Sequence, residues 1–171
     1  MKKLVTLAAA FALVASTAQA QTVATTANPG SVTTYATVTV PTILNLSIND
    51  TSTSIASPVQ ADFDNGFQDA ASTVIATVKS NKAWSLTIKG GAANWTGTGG
   101  ASATKVVADL HWSITGPGAG TAMTTSAVSI ASSATGTAGS NTTVNYRIIW
   151  SYATDTPGTY TIPVIFTAAA P

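Results

Sequence analysis

Val144-Asn145-Tyr146-Arg147-Ile148-Ile149-Trp150-Ser151-Tyr152 places a large apolar or aromatic residue at every second position. A β-strand turns successive side chains to opposite faces, so this period of two marks a strand with one face buried. Downstream, Asp155-Thr156-Pro157-Gly158 is a turn, and Tyr160, Ile162, Val164 and Phe166 repeat the alternation. The spacing predicts two neighbouring strands that pair. Working back toward the N-terminus, Val106, Ala108, Leu110, Trp112 and Ile114 alternate. So do Val74, Ala76 and Val78, followed across Ser80-Asn81-Lys82 by Trp84, Leu86 and Ile88, which reads as a hairpin. Val38, Val40, Leu44, Leu46 and Ile48 share one parity around Pro41, and Ala127 to Ala131 is a further short strand. Thr51 to Gly66, Thr96 to Gly100 and Ser132 to Asn141 read as loops. Short strands separated by Gly, Pro and Asn turns, with no convincing helix, predict an all-β fold: an antiparallel two-sheet immunoglobulin-like β-sandwich. Trp84, Trp112, Trp150 and Tyr160 fall in step with Val, Ile and Leu and are expected in its core.

At the other end of the chain, Lys2 and Lys3 precede an apolar run from Leu4 to Val14, and Ala18-Gln19-Ala20 supplies small residues. This is the pattern of a secretory signal peptide over residues 1–20, with cleavage leaving Gln21 first. The apolar run is shorter than the roughly 20 residues that span a bilayer. Residues 21–33, with Asn28-Pro29-Gly30, read as a flexible polar leader, and residues 34–171 as a single domain of a size that buries a real core. The expected location is outside the cytoplasm, in the periplasm, on the outer surface or secreted. No membrane insertion is expected after cleavage.

The composition narrows the chemistry. There is no cysteine, so disulfides and thiolate metal sites are excluded. Loss of Lys2 and Lys3 leaves five basic residues against six aspartates, too few and too scattered for a nucleic-acid partner. Charged residues make up 8% of the chain, where about 25% is usual. Thr, Ser, Ala and Gly must therefore form much of the surface, which loses little hydration on meeting a similar surface.

The single histidine, His111, alternates with Asp109 and Ser113 on one strand. A catalytic triad needs its base between partners brought from different elements, so a solvent-facing polar stripe is the expected reading. There is no Glu, and the paired carboxylates of glycoside hydrolysis are not apparent. Asp62, Asp64 and Asp69 offer oxygen ligands of the kind calcium takes, but without the twelve-residue loop pattern and its closing Glu, a solvated loop is the expected reading and calcium the alternative. Trp95, between Gly90 and Gly100, is either an exposed ligand contact or a loop side chain folded back on the core. No catalytic residue and no cofactor is expected.

Ala83-Trp84-Ser85-Leu86-Thr87-Ile88 resembles the Trp-x-Leu signature of the WxL cell-wall-associated domain, and Gly158-Thr159-Tyr160 running to Ala170-Pro171 resembles its closing strand. Val164-Ile165-Phe166 stands where the second Trp-x-Leu would fall. The Val38-Thr39-Val40-Pro41 strand, the Pro157-Gly158-Thr159-Tyr160 turn and the final alternating strand are also similar to pilin-like and spore-coat-like immunoglobulin-type sandwiches. Tyr160 resembles a tyrosine corner, whose hydroxyl ties a turn to its strand. These resemblances imply a noncatalytic structural or adhesion protein of the bacterial envelope. Its expected partners are further copies of itself, other envelope proteins or a cell-wall polymer. The alternative is a carbohydrate- or peptidoglycan-binding module, in which Trp95 and Tyr152 would stack on sugar rings.

Overall fold

Branched and aromatic residues at alternate positions build strands because they fit a pleated surface with one face buried, and the structure, a computed structural model, is mostly β. It describes residues 33–50, 53 and 55–171. The expected signal peptide and residues 21–32 of the leader lie outside the described residues. Residues 33–39 carry no helix or strand and belong to a unit distinct from Val40–Pro171, which holds every element described below.

The strands are β1 (Leu44–Ile48), β2 (Phe67–Asp69), β3 (Val74–Ser80), β4 (Trp84–Gly90), β5 (Thr96–Thr98), β6 (Leu110–Ser113), β7 (Thr121–Ala122), β8 (Val128–Ser133), β9 (Thr137–Ile149), β10 (Thr159–Thr161) and β11 (Val164–Ala169). The larger antiparallel sheet runs β1-β3-β9-β6-β7, with β2 also pairing β9, and the smaller runs β11-β4-β8. β5 and β10 form a separate two-stranded ribbon. β9 organises the larger sheet. It pairs with β3 along its first half, with β2 at its end, and with β6 opposite Asn145 to Ile148.

The two sheets pack around a core to which β3 gives Val74, Ala76 and Val78, β4 gives Trp84, Leu86 and Ile88, and β9 gives Val144, Tyr146 and Ile148. Leu110 and Trp112 join them from β6, opposite Ile148 and Tyr146. Trp84 and Trp112 are buried as expected, whereas Trp150 and Tyr160 are half-buried against the same cluster.

Both expected hairpins are corrected. β3 and β4 lie in different sheets, and β9 pairs with neither β10 nor β11. Alternation specifies which side chains point inward, and two strands facing each other across a core satisfy it as well as two lying side by side. The Ser80–Lys82 bend supplies the local reason. Asn81 accepts from the Ile43 N–H at 2.8 Å and donates to the Pro41 carbonyl at 2.7 Å, so the bend is pinned to the chain leading into β1. β4 departs from there into the second sheet.

Five segments also differ from expectation. Part of the Thr51–Gly66 loop is a six-residue helix, α1 (Gln60–Asn65), closed by Gly66 at φ 75, a left-handed conformation that glycine adopts freely. Thr137 to Asn141 is strand, because its small residues pair with β3. Thr96 to Thr98 pairs with β10. The region before Leu110 is a 3-10 turn, Val107–Asp109, and among the described residues the first regular element is β1 from Leu44, so Val38 and Val40 lie on no strand.

Leu86 is fully buried between the sheets. Leu86→Ala is expected to cost about 2–5 kcal/mol by transfer and cavity terms together. Urea denaturation should show a lower midpoint, and a loss below about 1 kcal/mol would place Leu86 outside the close-packed core.

Candidate functional site

Where β9 ends, the chain turns through Ser151 to Asp155 beneath a loop that carries Lys105. That lysine is 2% exposed. Its Nζ donates to the Ile149 carbonyl at 2.6 Å and to both Asp155 carboxylate oxygens at 3.0 Å. It lies 4.3 Å from the centroid of the Trp150 ring. Asp155 also accepts from the Ser151 N–H at 2.9 Å. A buried ammonium survives only when paired and hydrogen-bonded, and here a carboxylate, a carbonyl and an aromatic face meet that requirement.

The Tyr160 corner is present. Its hydroxyl donates to the Thr156 carbonyl at 2.7 Å and accepts from the Ser102 N–H at 3.0 Å. Gly158, at φ 153, sits where a Cβ would run into the backbone of Thr98 and Ala101. Tyr152, Phe63, Trp150 and Tyr160 follow as a chain of ring contacts, with centroids 4.9, 5.6 and 6.1 Å apart.

Against this cluster lies a cavity of about 630 Å³. Val74, Leu110, Tyr146 and Ile148 line it from the larger sheet, Val164 and Phe166 from the smaller one, and Trp95, Trp150 and Tyr160 from the end. Residues Ile55 to Pro58 and Gly158 to Pro163 also line it, and Asp50 is its one ionisable side chain besides tyrosines among the described residues.

The sequence-predicted residues fall in several places. Trp95 is 9% exposed, and its indole N–H donates to the Val106 carbonyl at 2.9 Å. The exposed ligand-contact reading is therefore corrected: the ring has folded back on the core and reaches the cavity from inside. Tyr152 is exposed and donates to Asp64 at 2.9 Å. The three aspartates weighed for calcium are each held separately. Asp62 accepts from the Val59 N–H at 2.8 Å at the start of α1, Asp64 receives Tyr152, and Asp69 forms a two-pronged bond with Arg147 at 2.7 and 2.8 Å. Among the described residues no group of three acidic or histidine side chains is placed to hold a metal ion. Asp109 accepts from the Val106 N–H at 3.1 Å, Nδ1 of His111 lies 2.6 Å from the Ala119 carbonyl, and Ser113 is 3.1 Å from Thr115. These contacts do not form a relay, and His111 does not line the cavity.

Sequence reading missed Lys105 and Tyr146. The partner of Lys105 lies 50 residues away, and a lone lysine between Thr104 and Val106 carries no local signal. Tyr146 was legible as core but not as cavity lining.

Two surface features complete the picture. Tyr35 and Val38 are 91% and 84% exposed, and Val40 and Ile43 are exposed as well. The strands that end the two sheets, β1, β7, β8 and β11, contain no charged residue, and each pairs with one neighbour only among the described residues. No described helix is long and apolar enough to cross a membrane. Compared with known proteins, the chain matches no family model, no curated protein and no solved structure.

Removing one partner of a buried pair leaves an uncompensated charge, so Asp155→Ala is expected to cost about 3–5 kcal/mol, while Lys105→Met with Asp155→Leu recovers most of it. Equal stability of the double and single variants in denaturant titrations would refute this account.

The Arg147 hydrogen bond holds the Asp69 carboxyl below its ordinary value of 3.8. Its contribution to stability is full above that value and is lost as pH falls through the lower folded value. The pair is partly exposed and screened, so the effect is modest. Urea titrations should show the wild-type advantage over Asp69→Asn shrinking as pH drops below about 4, and an advantage independent of pH would contradict the pairing.

Proposed function

We propose that this protein is a noncatalytic, exported structural or adhesion subunit of the bacterial cell surface, built as an immunoglobulin-like β-sandwich and working by association with further copies of itself or with a wall polymer. The observation that carries the reading is the absence of charge from β1, β7, β8 and β11 at the margins of the two main sheets, Asp69 on the short strand β2 being tied to Arg147. Edge strands present unpaired N–H and C=O groups to any neighbouring strand, and folded proteins commonly block them with lysine, proline or a bulge. Here β1, β7, β8 and β11 hold neither lysine nor proline, although β8 carries a bulge at Ile130 and β7 is only two residues long. Main-chain pairing would give affinity and alternate side chains the register.

The exposed apolar residues Tyr35, Val38, Val40 and Ile43 support the same reading. They supply large side chains of the kind that a strand seeking a partner buries, and they are better suited to this than the polar leader before them. The Lys2-Lys3 and Leu4–Val14 pattern supports export, and the 8% charge supports a surface that desolvates at little cost.

Light scattering and electron microscopy of the purified protein over rising concentration test this directly. Ordered oligomers or filaments are expected. Val128→Lys with Ile165→Lys, at exposed positions on β8 and β11, should raise the concentration needed for assembly by about tenfold or more while leaving the thermal transition nearly unchanged. A chain that remains monomeric at all concentrations and sediments with peptidoglycan would sink self-association and favour the polymer-binding reading.

A further inference from the structure

A close-packed protein interior has few voids larger than a water molecule. The partly open 630 Å³ cavity between the sheets is far larger than such voids and falls within the roughly 300–1,000 Å³ typical of small-molecule sites. Its walls are mostly aliphatic and aromatic side chains, which favour a body that water excludes.

Among the aromatic side chains at the cavity, one polar atom is uncommitted. The ring N–H groups of Trp95 and Trp150 donate to Val106 O and Gln68 Oε1, and the Tyr160 hydroxyl donates to Thr156 O. The Tyr146 hydroxyl has no hydrogen-bond partner among the described residues, although the residue is only 6% exposed. The single fully enclosed polar side-chain atom without a partner is the indole nitrogen of Trp84. The Tyr146 oxygen therefore retains some accessible surface, and at this position that surface is the cavity. Burial pushes its phenol well above the ordinary range, so it stays protonated and able to donate at neutral pH.

Charge selects further. Lys105 stands behind the Trp150 and Tyr160 rings and is neutralised by Asp155. No lysine, arginine or histidine stands in the described lining to balance an anion. We propose that this cavity binds a neutral, predominantly apolar small molecule, held between the aromatic walls, with the Tyr146 hydroxyl donating to an acceptor oxygen such as a ketone, ester or alcohol. The site goes beyond the assembly reading and does not depend on it.

The neutral naphthyl-ketone dye prodan tests the site, because its emission reports both an apolar environment and a hydrogen bond to its carbonyl. Saturable one-to-one binding is expected, with a blue shift and energy transfer from the tryptophans. Tyr146→Phe keeps the ring and removes a hydroxyl that has no protein partner, so the fold should hold. The dissociation constant should rise about three- to tenfold, the loss of one hydrogen bond, with emission moving further to the blue. Tyr35→Ser/Val38→Ser/Val40→Ser should bind the dye as the wild type does. No binding to the wild type, or unchanged affinity and emission in Tyr146→Phe, would overturn the proposal. Binding that appears only in the triple-serine variant would overturn it too, by assigning the cavity to apolar residues of a second copy. Binding lost in that variant would place the dye on those residues instead.

Discussion

The amino group of Lys105 is buried, and the end of the domain is built around holding it. It hydrogen-bonds the last carbonyl of β9 and both oxygens of Asp155, and it lies against the Trp150 ring. Three stretches distant in sequence are thereby fixed: the loop before Val106, the end of β9 and the turn from Ser151 to Asp155. Tyr160 adds a second tie, bonding Thr156 on one side and Ser102 on the other. Without a cysteine in the chain, such polar knots do some of the positional work that cross-links do in disulfide-bonded domains. Their value lies more in fixing geometry than in net stabilisation, since desolvation consumes much of the attraction in a buried pair.

The all-β class was legible because the chain's alternation is long and regular, and it correctly placed Trp84, Leu86, Ile88, Val144 and Ile148 inside. Partnership was not legible. The bend at Ser80–Lys82 looks like a hairpin turn, yet Asn81 is committed to Pro41 and Ile43, contacts that only the folded chain can reveal. Thr137 to Asn141 was missed for the opposite reason: its strand character comes from pairing with β3 and not from the residues themselves. The Tyr160 corner could be read because its partner lies four residues away. Lys105 could not, and Trp95 was ambiguous until its indole found the Val106 carbonyl.

The cavity and the corner are consequences of the same arrangement. Pro163 separates β10 from β11, so the chain leaves the β5 ribbon before joining β4. Phe166 and Val164 then face Ile148 and Tyr146 across a gap that Trp95 and Tyr160 border but do not fill. Ring-to-ring contacts run outward from there through Trp150 and Phe63 to Tyr152. The domain is thus tightly closed around Leu86 and Ile88 and looser toward the Lys105 end.

The uncharged strands at the sheet margins also determine how the molecule meets different media. Electrostatic contacts between exposed groups fade once dissolved ions shorten their range, but main-chain pairing and apolar burial do not depend on such fields. Of the two ion pairs among the described residues, one is almost wholly shielded from water. Association through such a surface, as proposed above, would be nearly as strong in brine as in dilute fresh water, and would need no retuning as the surroundings change.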